Sequence, residues 1–89
     1  MGRRPTLVLS PESYNIMTGR ALFCPITSKV KNYPFEVLLP KKLPIAGAIL
    51  SDLVKSLDLQ EYKIEFICIL PRETVTEVLK KLGTLLTVD

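Results

Sequence analysis

Eighty-nine residues make one domain, at a size where folding buries only about 60% of the unfolded surface. No apolar run approaches the roughly 18 residues of a membrane-spanning helix, and Gly2-Arg3-Arg4-Pro5 interrupts any secretory leader, so a cytoplasmic protein is expected. A net charge of +3 at a pI near 9.0 admits a polyanionic partner without requiring one, and the absence of histidine excludes imidazole as an acid or base.

The first apolar run, Thr6 to Ser10, reads as a buried strand ended by Pro11. Ser13 to Arg20, with Asn15 and Thr18-Gly19, reads as a loop of turn-forming residues. Ala21 to Ile26 is the next strand, followed by a lysine-rich loop to Pro34. Phe35 to Leu39 is a third strand, closed by Pro40. In the segment from Ile45 to Leu59, Ile45, Ile49, Leu50, Leu53, Val54 and Leu57 fall at helical spacing, yet the same residues fit a strand covered on both faces. Tyr62 to Ile69 alternates as a strand, with Tyr62, Ile64, Phe66 and Cys68 on one face and Lys63 and Glu65 on the other.

The C-terminal segment carries the clearest helix signal. Pro71 suits the first helical position and Glu73 places an acid near the positive end of the dipole. Val75, Val78, Leu79, Leu82, Leu85 and Leu86 recur at helical spacing, Glu77 stands one turn before Lys81, and Gly83 costs the helix about 1 kcal/mol relative to alanine. So wide an apolar stripe must pack across a sheet. With 47% hydrophobic residues and a mean hydropathy of +0.27, some apolar surface is expected to face a partner, most simply a second copy.

Lys29, Lys31, Lys41 and Lys42 fall in one stretch whose sole acid is Glu36, preceded by Arg3, Arg4 and Arg20. That is either a solvated basic face or a surface for a polyanion. Cys24 and Cys68 sit among apolar neighbours and read as reduced thiols, and no cysteine spacing suggests zinc.

Taken in register, the motifs resemble one family. Arg3-Arg4-Pro5 leads into Leu7-Val8-Leu9-Ser10-Pro11, then Tyr14-Asn15 and Thr18-Gly19. Cys24-Pro25-Ile26-Thr27-Ser28, Tyr33-Pro34-Phe35-Glu36-Val37 and Asp52-Leu53-Val54-Lys55-Ser56-Leu57 follow. Nearly the whole chain is similar to the MazF/PemK family of toxin endoribonucleases. The resemblance implies a mainly β fold, an SH3-like small barrel of the MazF/PemK/CcdB type with a C-terminal helix, as a homodimer. It also implies strand, not helix, between Ala48 and Leu57.

Further implications concern function. Family members cut single-stranded messenger RNA at short sequences without a metal or other cofactor, and an antitoxin with an acidic tail neutralises them. Carried onto this chain, the catalytic pair is Arg4 and Thr27, and the RNA path runs past Arg3, Lys29, Lys31, Tyr33, Asp52 and Lys55. Two departures stand out: Leu53 replaces a usually polar residue, and Met1-Gly2 stands where the family carries an N-terminal strand and loop, so one sheet edge is expected to lie unpaired.

The chemistry suits those residue types. RNA supplies its own nucleophile, the 2′-hydroxyl beside the phosphate, and yields a 2′,3′-cyclic phosphate and a 5′-hydroxyl. A guanidinium donates two parallel hydrogen bonds to phosphate oxygens, and a threonine hydroxyl donates a third. Arginine stays protonated at ordinary pH, so the general base remains unassigned. Two other readings share the fold: a gyrase-directed toxin acting by binding alone, and a non-catalytic fragment that dimerises and captures antitoxin.

Overall fold

The structure, a computed structural model, describes residues 4–88. Its centre is the long strand β2 (Arg20–Thr27), which buries Ala21 and Phe23 on one face and Cys24 and Ile26 on the other. On one edge β1 (Thr6–Val8) runs antiparallel to it, in the register Thr6↔Pro25, Leu7↔Cys24, Val8↔Phe23. Backbone bonds from Leu9 N–H to Leu22 O (2.8 Å) and from Ile26 N–H to Pro5 O (3.1 Å) extend that ladder at both ends.

The other edge changes partner along its length. Residues 20–23 pair with β5 (Lys55–Asp58), and residues 26–27 pair with β4 (Ala48–Leu50). Pro25 sits at the change, where a residue without an N–H leaves no donor unmet. β3 (Glu36–Leu38) then closes against β4 in the register Val37↔Ile49. A strand whose halves bond to different neighbours bends the sheet on itself, as a small barrel requires. The mainly antiparallel β architecture with a C-terminal helix is the one the motifs implied.

Helix α2 (Arg72–Gly83) covers the concave face. Val78 is fully buried and Val75 packs beside it on a core of Leu7, Cys24, Ile26, Val37, Leu39 and Ile49. Pro71 stands just before the helix, and Gly83 is its last residue, so the expected mid-helix penalty falls away. Lys81 turns from Glu77 to the loop before β3, donating to the Pro34 carbonyl at 2.6 Å. The stripe is wider than the sheet can cover: Leu79, Leu85 and Leu86 remain exposed.

Two expectations need correction, and one open reading is decided. The expected loop after Pro11 is a helix, α1 (Glu12–Thr18), that buries no residue. Its ends hold it: Glu12 lies in the first turn, and Gly19, at φ +70, closes the last by donating to Asn15 O at 2.9 Å. Ser10 Oγ lies 2.6 Å from the Asn15 side-chain amide and accepts the Leu22 N–H at 2.9 Å, which ties α1 to β2.

Between Ile45 and Leu59, where helix and strand were both open, the strand that the resemblance implied between Ala48 and Leu57 is the one present. Two short strands joined by a turn, in which Leu53 N–H reaches Leu50 O, place the same apolar residues. Finally, Tyr62 to Ile69 enters no ladder of the described sheet, although it alternates as a strand should. Tyr62, Ile64, Phe66, Ile67 and Ile69 are all exposed, and Leu70 anchors the segment's end on the core.

Candidate active site

At the β4 end of β2, an open cavity of about 350 Å³ is lined by Thr27, Lys29, Lys31, Tyr33, Glu36, Leu50, Asp52 and Leu53. Three segments converge there: the end of β2, the loop 28–35, and the turn after β4. Five residues singled out from the sequence, Thr27, Lys29, Lys31, Tyr33 and Asp52, therefore meet in one depression. Lys55 does not line it; it opens β5, opposite Phe23. Arg3 lies outside the described residues.

Arg4 reaches the same place by register. Pro5 O bonds to Ile26 N–H, and Thr6 lies across from Pro25, so one further step sets Arg4 across from Thr27. Were the ladder to continue past β1, Arg4 and Thr27 would form a non-hydrogen-bonded pair, the kind in which facing Cα atoms approach to about 4.5 Å and side chains share one face. At this end of the face Thr6 is exposed and Pro25 and Thr27 are half-buried, whereas Phe23 and Ala21 further along it are buried. The backbone at Arg4 is thus led towards the end of β2, while Arg4 itself is not among the residues that line the cavity.

The Thr27 hydroxyl is oriented for donation. Its oxygen accepts the Lys29 N–H at 3.1 Å, which occupies a lone pair and leaves the proton for a ligand. The backbone behind it is held from the opposite strand, where Gly47 adopts φ +129 against the Thr27 carbonyl. A β-carbon on Gly47 would collide with that carbonyl, so only glycine fits.

Charge in the cavity is mixed. Lys29 and Lys31 face solvent, while Glu36 is engaged internally, accepting N–H groups from Lys31 and Tyr33. The Tyr33 hydroxyl comes within 3.5 Å of Asp52 Oδ2, and its ring leans on Phe35 with centroids 6.1 Å apart. Tyr33 is half-exposed and presents an aromatic face beside the two lysines. Beneath the floor, burial first and the Asp52 carboxylate second push the Cys24 thiol up to about 11. Cys24 and Cys68 are both free thiols, and among the described residues no cluster of acids and thiols is arranged to cage a metal ion.

Glu36, Lys81 and Gly47 escaped the sequence reading. Glu36 left one visible trace, as the lone acid in a lysine-rich stretch. Gly47 and Lys81 left none, because their partners are a carbonyl 20 residues away and another 47 residues away.

Comparison with known proteins decides the family. The model of the PemK-like, MazF-like toxin of type II toxin–antitoxin systems matches residues 1–86. The chain belongs to that family. Among curated PemK/MazF-like relatives, the endoribonuclease toxin MazF of Escherichia coli K12 is 48% identical over 56 residues, 63% of this chain and 50% of the relative. The chain thus spans about half the length of the curated relatives it matches.

Solved structures agree over more of the chain. The MazE–MazF crystal structure (Form-I) from Deinococcus radiodurans matches at 48% identity and a TM-score of 0.92, covering 96% of this chain and 83% of that one. An endoribonuclease in complex with its cognate antitoxin from a mycobacterial species matches at a TM-score of 0.83, covering 96% and 82%. At 21% identity it speaks for the PemK/MazF-like fold alone.

Proposed function

We propose that this chain is a sequence-specific endoribonuclease toxin that cuts single-stranded messenger RNA in the cytoplasm, independently of metal, and that a cognate antitoxin with an acidic tail holds it in check. The observation that carries the reading is the register of β1 on β2, whose continuation past Thr6↔Pro25 and the Pro5–Ile26 bond would set Arg4 opposite Thr27. Relatives named as endoribonucleases, and a neighbour solved with MazE, supply its support.

In this reading the 2′-oxygen of RNA attacks the adjacent phosphorus and the bond to the 5′-oxygen breaks, leaving a 2′,3′-cyclic phosphate and a 5′-hydroxyl. Negative charge builds on the non-bridging oxygens. Arg4 donates to both of them and Thr27 adds a third hydrogen bond to one. Neither group is a base at neutral pH, so both stabilise charge and leave proton transfer to others. Lys29 and Lys31 guide the backbone, Tyr33 offers a face for stacking a base, and Asp52 an acceptor for a base edge. Lys55, and Arg3 ahead of the pair, extend the path. Exposed Leu79 on α2, with Leu85 and Leu86 just past its end, supports a homodimer.

The test is incubation of the full chain with a long single-stranded RNA in EDTA. Products ending in cyclic phosphate are expected, with Arg4→Ala and Thr27→Ala each slowing cleavage by about 10²–10³. RNA left intact by the parent chain overturns the reading.

A further inference from the structure

The loop 28–34 that carries Lys29, Lys31 and Tyr33 has no regular structure and is exposed throughout, which is a poor platform for placing three substrate-binding side chains. It is nevertheless pinned from three directions. Thr27 Oγ1 takes the Lys29 N–H from β2, and the Lys81 ammonium of α2 donates to Pro34 O at 2.6 Å. The third pin lies in the middle. Asn32 adopts left-handed φ +56, which turns the N–H groups on either side of it, those of Lys31 and Tyr33, towards one point. Such a turn forms a concavity of amides that binds an anion.

The anion in it is this chain's own. Glu36 Oε1 accepts from Lys31 N–H at 3.1 Å and from Tyr33 N–H at 3.4 Å, and Oε2 lies 3.3 Å from the Lys31 nitrogen. Glu36 belongs to β3, and its own N–H closes on Tyr33 O at 3.0 Å. The carboxylate therefore transfers the rigidity of the sheet to the loop.

We propose that Glu36, in the wall of the cavity, is a positioning residue of the RNA site: it acts through the loop, setting the Lys31 and Tyr33 side chains where the transcript is read. The proposal rests on the nuclease reading above. Its consequence is specific. Loss of Glu36 loosens substrate alignment and leaves the Arg4–Thr27 pair, which β1 and β2 hold, untouched. A glutamine keeps the Oε1 acceptor that receives both N–H groups, so it preserves the loop; an aspartate, one methylene short, does not.

The experiment compares the full chain with Glu36→Ala, Glu36→Asp and Glu36→Gln, using a short fluorogenic single-stranded RNA and amide hydrogen exchange at residues 31–33. Expected for Glu36→Ala and Glu36→Asp is a KM raised about tenfold with kcat within about threefold, and faster exchange of the Lys31 and Tyr33 amides. Glu36→Gln is expected to restore both readouts. Unchanged KM in the alanine and aspartate variants overturns the proposal, as does a loss confined to kcat or a glutamine variant as impaired as alanine. Should Glu36→Ala fail to fold, the aspartate and glutamine pair decides by the same measures. A parent chain that cuts RNA while these variants match it sinks this proposal alone; a parent chain that cuts nothing sinks the nuclease reading and the substrate role of Glu36 with it.

Discussion

Two single residues show how tightly the site depends on groups that never meet a ligand. Gly47 stands at φ +129 with no room for a β-carbon beside the Thr27 carbonyl. Gly47→Ala must move either β4 or the end of β2, a strain of about 1–3 kcal/mol. A urea melt is expected to show the midpoint falling with an unchanged slope, accompanied by lost cleavage in the fraction that stays folded. Cys24 reports on burial. Its thiol titrates near 11 in the folded chain against 9.0 when unfolded. The folded state thus keeps a proton that the unfolded state sheds between those values. The associated stability is complete below pH 9 and declines as pH rises towards 11, by about 1.4 kcal/mol per unit. Melting temperatures from pH 8 to 11 are expected to fall more steeply for the parent than for Cys24→Ala; parallel curves would contradict the burial.

At the level of elements, helix α2 divides cleanly along its length of apolar residues. Val78 is sealed in the core, whereas Leu79, its neighbour in sequence, is half-exposed. Val78→Ala is expected to cost roughly 2 kcal/mol through lost burial and the cavity left behind, and Leu79→Ala to stay within about 0.5 kcal/mol in the monomer. Chemical denaturation at low concentration separates the two. The same contrast explains what the sequence disclosed. Strands bounded by Pro11, Pro34 and Pro40 were legible because proline marks their ends and β-branched residues fill them. Helix α1 was not, because a helix that buries nothing has no apolar period, and its stability sits in Gly19 and the Ser10–Asn15 contact. Ile49 and Val54 mimicked a helix because two three- or four-residue strands around a turn repeat at nearly the same interval. Of the site, the residues with visible chemistry, Thr27, Lys29, Lys31 and Tyr33, could be picked out. Those that aim them could not, since a carboxylate that seats on backbone amides looks in sequence like any surface acid.

Across the whole molecule, order is unevenly shared. The core gathers where β1, β2, β3, β4 and α2 meet, while Tyr62 to Ile69 shows its apolar side chains to water. Among the described residues, the amides of Ile64, Phe66 and Ile69 carry no ladder bond, so they are expected to exchange hydrogen close to unprotected rates. Those of Cys24 and Ile26 are expected to exchange only on global opening. Protection of both sets alike, in a mass-resolved exchange series on the isolated chain, would show that the segment is covered in solution.

Pro25 has a mechanical meaning for that molecule. It divides β2 into a half bonded to β5 and a half bonded to β4, a joint in the middle of the central beam. Alone among the described strands, β1 is fastened on both sides of it, from Val8–Phe23 to the Pro5–Ile26 bond. The short segment that delivers Arg4 is therefore also the splint that keeps Thr27 from swivelling away.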